Sequence, residues 1–185
     1  LTNNMNWCSN NYLVLSPLKT KYMVFKSAQR RLTSPPELKL GTYSVPACDD
    51  VTFLGMHFDL NLTFRYHFQH LKHKTSFGIR ALMKARLFLS REALLALYFA
   101  FNHSRINYSI DSWGNTYACH LSSIKHIQNR SIRIITSSSI QSNVIVFLQS
   151  YNTLPVTYLF QFNVVVLFYK LLHNNLTLPF MSHDL

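Results

Sequence analysis

The strongest constraint on the fold is a change of sequence periodicity at residues 52–63. Before it, short apolar runs alternate with turn-forming residues, and after it apolar residues recur at helical spacing. Gly55 lies inside an apolar run, which indicates a bulge or a close backbone approach. Asp59-Leu60-Asn61 then supplies turn-forming side chains. The sequence therefore predicts an α+β chain with short antiparallel β-strands followed by a mainly α-helical bundle.

The part before this change is predicted to form short strands joined by turns. Gly41-Thr42 can turn the chain within a small hairpin. An exposed loop is expected over 27–36, where two arginines and two prolines occur. The predicted strands are apolar, β-forming runs at 12–15 and 22–25, the two arms of the hairpin at 37–40 and 42–45, and a last strand at Val51–Phe58.

Phe64–Leu89 has the clearest helical pattern in the chain. Its apolar and small residues share one face, and they are Phe64, Phe68, Leu71, Thr75, Gly78, Leu82, Ala85 and Leu89. Gly78 favours close packing against another helix. The opposite face carries Arg65, Lys72, Arg80 and Lys84. Such a face can bind a phosphate backbone, or it can be an ordinary solvated basic surface, and the helix alone leaves both readings open.

Further helices are predicted downstream. Ser90 is a suitable N-cap for Arg91–Asn102, which is apolar almost all round and is expected to be a buried central helix. Residues 105–114 are predicted to be a loop or irregular segment. A third helix over Leu121–Ile135 leaves Lys125, Arg130 and Arg133 available as outward cations. Asn143–Gln149 is predicted as a short helix or strand.

Val156–His173 is a long apolar segment that Gln161, Asn163 and Lys170 interrupt. Since a membrane span needs about 20 consecutive apolar residues, a buried helix is favoured over a span.

The charge balance favours a polyanionic partner. Eighteen Lys and Arg against seven Asp and Glu give a net charge of +11, which suits nucleic acid or an anionic membrane surface. A generic basic surface is the alternative. Three cysteines without CxxC spacing and the absence of a signal-peptide pattern predict an intracellular protein, in the nucleus or cytoplasm and not secreted. A first residue other than Met suggests a fragment of a longer polypeptide.

Two clusters could in principle bind metal. His67, His70 and His73 are spaced i, i+3, i+6, but no acid lies between them and no cysteine pair completes a site. Side-chain contacts around the basic helix are favoured. Asp49-Asp50 could hold catalytic metals, although a solvated turn is the favoured reading.

The order of several residues resembles one protein family. Its first block is W-x3-N-x-L-x-L, followed by K-T-x2-M-x-F, at Trp7, Asn11, Leu13, Leu15, Lys19-Thr20, Met23 and Phe25. Then come Phe53-Leu54-Gly55, Asp59 and an early helical His67. Later matches are Leu94, Leu97-Tyr98, Tyr108, Trp113-Gly114 and 127–134. Together they resemble the C-terminal part, the end of the palm plus the thumb, of a non-LTR retrotransposon reverse transcriptase.

The resemblance implies a division into domains and a set of site residues. Residues 1–63 would be the end of the palm, 64–140 the helical thumb and 141–185 a post-thumb tail. Lys19 matches the motif D lysine, which lies near the phosphates of the incoming nucleotide, and Phe53-Leu54-Gly55 match the primer grip. The nucleic-acid contacts would come from Arg65, Lys72, Arg80, Lys84, Arg130 and Arg133.

The implied function is template–primer binding by a fragment of an RNA-directed DNA polymerase. The catalytic aspartates of the family should precede Leu1, because Asp49-Asp50 follows motif D and cannot be the Ala-Asp-Asp turn. The fragment is thus expected to be inactive alone, with Mg²⁺ belonging to the intact enzyme and no metal or cofactor held here. The expected partners are an RNA template, a DNA primer or their hybrid, and the upstream palm and fingers, with no membrane and no small-molecule cofactor.

Two alternatives to the polymerase fragment remain. The chain could be a nonenzymatic, basic, helical nucleic-acid-binding module. It could also be a membrane-associated protein that uses Val156–His173.

Overall fold

The computed structural model describes residues 2–29 and 36–173, with side chains from residue 5. The chain divides into two compact units, Leu1–His67 and Phe68–Leu185. Two antiparallel hairpins lie in the first unit and most of the helices in the second, so the predicted α+β class is confirmed. Most of the predicted loop at 27–36 and the end of the predicted tail at 141–185 lie outside the described residues.

The first unit contains one helix and two hairpins. Strands β1 and β2 pair from Leu38↔Val45 to Leu40↔Tyr43, and Gly41 adopts a φ of 63° in the turn between them. The predicted hairpin is therefore confirmed. The elements of the unit are α1 (Thr2–Asn10), β1 (Leu38–Leu40), β2 (Tyr43–Val45), β3 (Asp50–Phe53) and β4 (Met56–Asp59).

The two apolar runs at 12–15 and 22–25 do not form strands, so that prediction is wrong. The Tyr22 N–H donates to the Pro46 carbonyl at 3.2 Å, and the Cys48 N–H donates to the Tyr22 carbonyl at 2.9 Å, which makes a single parallel bridge. Tyr12 and Val14 are 98% and 96% exposed. β-Propensity reflects packing on a pleated surface, and these residues have no neighbouring strand among the described ones.

An apolar core lies among helices of the second unit. Its buried members come from four helices, and they are Ile79, Leu82, Leu94, Tyr98, Ile132, Ile134, Ile135, Val144 and Leu148. The helices are α2 (Arg65–Ala85, which begins in the first unit), α3 (Arg91–Tyr98), α4 (Ser104–Asn107), α5 (Ile110–Trp113), α6 (Ala118–Thr136), α7 (Val144–Ser150) and α8 (Val156–His173). A π-helical turn, Phe99–His103, joins α3 to α4.

The predicted first long helix is confirmed as α2. Its apolar stripe is buried from Phe68 to Leu82, but the helix ends at Ala85, and Leu89 is 44% exposed. Gly78 packs closely, as predicted. A Cβ at this position would collide with the side-chain amide of Asn102 and lie 3.1 Å from the Cβ of Phe101.

Two predictions for residues 91–114 are wrong. The expected all-round burial of Arg91–Asn102 is limited to one face, on which Leu94, Tyr98 and Asn102 are buried. The predicted loop at 105–114 instead forms α4 and α5. Ile106, Ile110 and Trp113 are completely buried, and their spacing of four and three is helical.

The predicted third helix is confirmed as α6, which ends at Thr136 and is followed by a C-cap residue, Ser137, in a left-handed conformation with a φ of 52°. Gln128 of α6 is completely buried and links three elements. Its Nε2 donates to the Leu154 carbonyl at 3.0 Å and to the Tyr98 hydroxyl at 3.3 Å, and its Oε1 accepts from the Val156 N–H at 2.9 Å. Burial of the phenol raises the pKa of Tyr98 to about 12. Asn143 caps α7, which resolves the helix-or-strand alternative at 143–149.

Helix α8 is not the buried helix that was predicted. Only Val156 and Leu159 are buried, 11% of the helix, and its length and composition would allow it to cross a membrane. The helix is apolar all round, whereas its packing against α5 and α6 covers one side only. Apolarity alone therefore misled the prediction of burial.

Candidate nucleic-acid interface

The β3–β4 hairpin turns at Leu54-Gly55. Its register runs from Asp50↔Asp59 to Phe53↔Met56, so the prediction of one strand over Val51–Phe58 is wrong. Leu54 and Gly55 have φ angles of 48° and 78°, and positive φ at both central residues is what a type I′ hairpin turn requires. Apart from its two chain neighbours, no described residue has an atom within 4 Å of a Cβ built on Gly55. The glycine therefore serves the turn, not the bulge or close approach that was predicted.

The tip of this hairpin is apolar and open to solvent. Phe53 and Leu54 are 62% and 73% exposed, while Met56 is buried. Across the hairpin, the Thr52 hydroxyl and His57 Nδ1 are 2.9 Å apart. The hairpin thus exposes two large apolar side chains at its tip, through which it can contact a partner.

Asp59 fixes the exit of the hairpin into α2. Its carboxylate accepts from the Thr63 N–H at 2.9 Å, the Thr63 hydroxyl at 3.0 Å, the Phe64 N–H at 2.8 Å and the Asn61 N–H at 3.2 Å. Leu62 and Phe64 have φ angles of 51° and 56°, a left-handed conformation that L-residues rarely adopt. The carboxylate therefore holds a strained turn at the start of the helix, which extends the turn role predicted for this aspartate.

The predicted motif D residue, Lys19, lies in a tight turn of the first unit. Its backbone N–H donates to the Ser16 carbonyl at 3.1 Å, and its side chain is exposed. The ammonium group is therefore accessible to an anion.

The predicted cations of α2 differ in exposure. Arg65, the first residue of the helix, is exposed. Arg80 and Lys84, one turn apart, are also exposed, whereas Lys72 is half-buried. Among the described residues, no carboxylate lies within ion-pair distance of any of them. Their charges are therefore available for phosphate.

A second basic site lies in a cleft of about 830 Å³ between residues 86–87, which follow α2, and one face of α6. We call it the arginine cleft. Its lining contains three arginines, a histidine, two serines and three apolar side chains, namely Arg86, Leu87, His126, Arg130, Arg133, Ile134, Ser137, Ser138 and Ile140. None of these is acidic. The cleft has the composition of an anion-binding site.

The α6 wall of the arginine cleft is a regular row of polar side chains. His126, Arg130, Arg133 and Ser137 follow each other at intervals of four, three and four residues, which places them on one helix face. At 1.5 Å per residue, the row from His126 to Arg133 is about 10 Å long. An Arg130 guanidinium nitrogen lies 3.7 Å from the Met83 sulfur, so the side chain of Arg130 reaches α2.

Arg133 lines this cleft and is half-buried. Its Nε atom is buried and has no hydrogen-bond partner among the described residues. A buried donor without a partner is costly, so the side chain of Arg133 is not fully satisfied by its described neighbours.

The structure thus joins two predicted residues, Arg130 and Arg133, to two that sequence reasoning missed, Arg86 and His126. One signal was present in the sequence. No Asp or Glu occurs between Asp111 and Asp184, so the cations of this stretch have no acidic neighbour along the chain. Only the fold, however, brings Arg86 to α6.

The residues considered as possible metal ligands do not form a metal site among the described residues. His67 is buried, while His70 and His73 are exposed, and the described residues contain no group of three or more ligands able to hold a metal ion. Asp49 and Asp50 are both exposed, and Asp50 begins β3. This is the solvated arrangement that was favoured for the pair.

No protein-family model, no curated protein and no solved structure matches this chain. The resemblance to a reverse transcriptase therefore stays a prediction.

Proposed function

We propose that this chain is the palm end and thumb of a non-LTR retrotransposon reverse transcriptase and contributes template–primer binding. The observation that carries the proposal is the β3–β4 hairpin. Its Phe53-Leu54-Gly55 tip is exposed, and shortly after β4 the chain enters a 21-residue helix with a basic face. A primer-grip hairpin followed by a thumb helix would have this order.

In this proposal the two parts hold different features of the substrate. Phe53 and Leu54 contact the sugars and bases at the primer 3′ end, where the duplex stops and apolar surface is open. Arg65, Lys72, Arg80 and Lys84 bind phosphates of the hybrid, and each contact releases counterions. Lys19 lies near the phosphates of the incoming nucleotide.

The catalytic aspartates and the Mg²⁺ ions they bind would belong to the upstream palm. The chain therefore acts inside the cell, in the nucleus or cytoplasm, as part of a larger polymerase. Purified alone, it does not extend a primer, and incorporation of a dNTP would contradict this part of the proposal.

A nonenzymatic nucleic-acid-binding module is the second candidate. It is favoured by the same unpaired cations, which bind phosphate whether or not a polymerase is attached. The two candidates differ at the hairpin, because only a primer grip needs the apolar tip to recognise a primer end.

Fluorescence anisotropy with RNA–DNA hybrids tests the proposal. The chain should bind a hybrid with a recessed primer 3′ end, with affinity falling by about 0.9 log units per log unit of salt for each phosphate contact. The double variant Phe53→Ser/Leu54→Ser should bind this end several-fold more weakly and bind a closed, end-free hybrid unchanged. Tyr43→Ser, at a 60% exposed site in the other hairpin, is the matched control.

Two results would count against the proposal. Equal binding of the recessed end by the wild type and the tip variant would remove the primer grip and leave the nonenzymatic module. Absence of hybrid binding would remove the template–primer function, and absence of salt-sensitive binding to any nucleic acid would remove both candidates.

A further inference from the structure

We infer that the arginine cleft binds a single strand of nucleic acid, as a site distinct from the basic face of α2. This inference rests on the proposed nucleic-acid function and names the substrate form that this one site accepts.

The side chains that line the cleft are suited to binding phosphate. Arg86 on one wall and Arg130 and Arg133 on the other present guanidinium groups to a common space, and no acid lines it. Guanidinium groups bind phosphate oxygens through paired N–H donors. The walls are therefore matched to phosphate.

Exposed apolar side chains lie beside these charges. Leu87 and Ile140 line the same cleft and are 74% and 85% exposed. In a duplex the base faces are stacked inside, so only phosphates, sugars and groove edges meet a protein. A single strand offers phosphates and unstacked bases together. The pairing of arginines with open aliphatic side chains thus fits a single strand.

The shape of the arginine cleft also favours a single strand over a duplex. The cleft is concave and about 830 Å³ in volume, and its α6 row of cations is about 10 Å long. A strand can enter such a cleft and place successive phosphates along the row. A double helix is convex and wide, and it would contact the rim more than the walls. The exposed cations Arg80 and Lys84 of α2 lie outside the cleft lining and suit that wider partner.

The test compares three probes by anisotropy, namely an oligouridylate that cannot pair with itself, a closed RNA–DNA hybrid and inorganic polyphosphate. The variant Arg86→Gln/Arg130→Gln removes two exposed cleft charges and leaves half-buried Arg133 in place. We expect oligouridylate binding to fall on the order of tenfold, and its log–log salt slope to fall by about 1.4. Hybrid binding should change far less.

Lys72→Gln/Arg80→Gln is the reciprocal variant, which removes the same number of charges from α2. It should weaken hybrid binding and leave oligouridylate binding nearly unchanged. Thermal unfolding of each variant checks that the fold is intact. Equal losses for both probes in both variants would mean one continuous basic surface, which would overturn the cleft as a separate site while hybrid binding, and hence the proposed function, stands.

A third variant tests the contribution of the nucleic-acid bases to binding, without changing the charge of the protein. Leu87→Ser/Ile140→Ser should weaken oligouridylate binding several-fold and leave polyphosphate binding unchanged, because polyphosphate has no bases. Unchanged oligouridylate binding would overturn the inference, since the cleft would then bind charge alone. If the wild type binds oligouridylate but no hybrid, the inference stands and the proposed template–primer function fails.

Discussion

Different interactions stabilise the interior of each of the two units. The second unit buries large side chains completely, among them Phe68, Tyr98 and Trp113. The first unit relies on two short hairpins and on turn hydrogen bonds, and it leaves Tyr12, Val14 and other large apolar side chains open to solvent. One unit is stabilised mainly by burial and the other mainly by local polar contacts.

This difference has an energetic consequence. Burying a large apolar side chain contributes about 1.5–3 kcal/mol, whereas a single hydrogen bond contributes about 1 kcal/mol net. Substitutions in the core of the second unit should therefore cost several times more than substitutions in the first.

The largest expected effect is in the second unit, at Trp113. Its ring is completely buried, meets the Phe68 ring edge-on at a centroid distance of 5.2 Å, and donates from Nε1 to the Tyr108 carbonyl at 3.0 Å. Trp113→Ala leaves a cavity and should lower the free energy of unfolding by about 3–5 kcal/mol. Urea unfolding followed by circular dichroism measures this loss.

Tyr12→Ala in the first unit is the matched control, because this aromatic residue is 98% exposed. Its effect should stay within about 0.5 kcal/mol. If the two substitutions cost the same, the contrast between a buried core and an open unit would be wrong.

A smaller effect is expected from overpacking the interior of the second unit at Gly78. A methyl group here collides with the amide of Asn102, which lies 2.7 Å from the Ser131 hydroxyl. Gly78→Ala gains about 1 kcal/mol of helix propensity but loses more through the collision and the disrupted polar contact. We expect a net loss of about 2 kcal/mol, measured by thermal unfolding.

A double-mutant cycle with Asn102→Ala identifies the cause. Removing the amide makes room for the methyl group, so Gly78→Ala should cost less in the Asn102→Ala background than in the wild type. Additive costs would show that Asn102 is not the obstacle.

The sequence predicted those elements of the fold that depend on residues close together in the chain. Helices α2 and α6 were predicted because apolar residues from Phe68 to Leu82 and from Ile124 to Ile135 repeat at helical spacing. The hairpin at Gly41 followed from turn chemistry. The order of Phe53-Leu54-Gly55 before a helix was likewise visible, although the two-strand hairpin was hidden by a continuous apolar run.

The failures share a dependence on partners that lie far away in sequence. The run at 12–15 has strand propensity but no strand beside it among the described residues, and α8 is apolar but packed on one side only. In the candidate site, Arg130 and Arg133 could be named from the helix period. Arg86 could not, because its place in the cleft depends on how α2 packs against α6. Exposure and tertiary neighbours are properties of the fold, which local patterns do not contain.

The smallest expected effect is at Asp59, and it tests whether local polar contacts stabilise the first unit. Its carboxylate holds the left-handed residues Leu62 and Phe64 and accepts from the Thr63 and Phe64 amides. Asp59→Ala should cost about 1–2 kcal/mol locally, as the loss of a helix cap does. Faster hydrogen exchange at these two amides, with core amides of α6 unchanged, is the measurement.

Asp59→Asn and Asp49→Ala sharpen this last test. The side-chain amide in Asp59→Asn keeps one acceptor oxygen, whereas the native carboxylate uses both of its oxygens, so exchange should accelerate less than in Asp59→Ala. Asp49 is exposed, so Asp49→Ala should leave both amides protected. If Asp59→Ala accelerated exchange throughout α6 as strongly as at residues 63 and 64, the first unit would be coupled to the core, and its stability would not rest on local polar contacts.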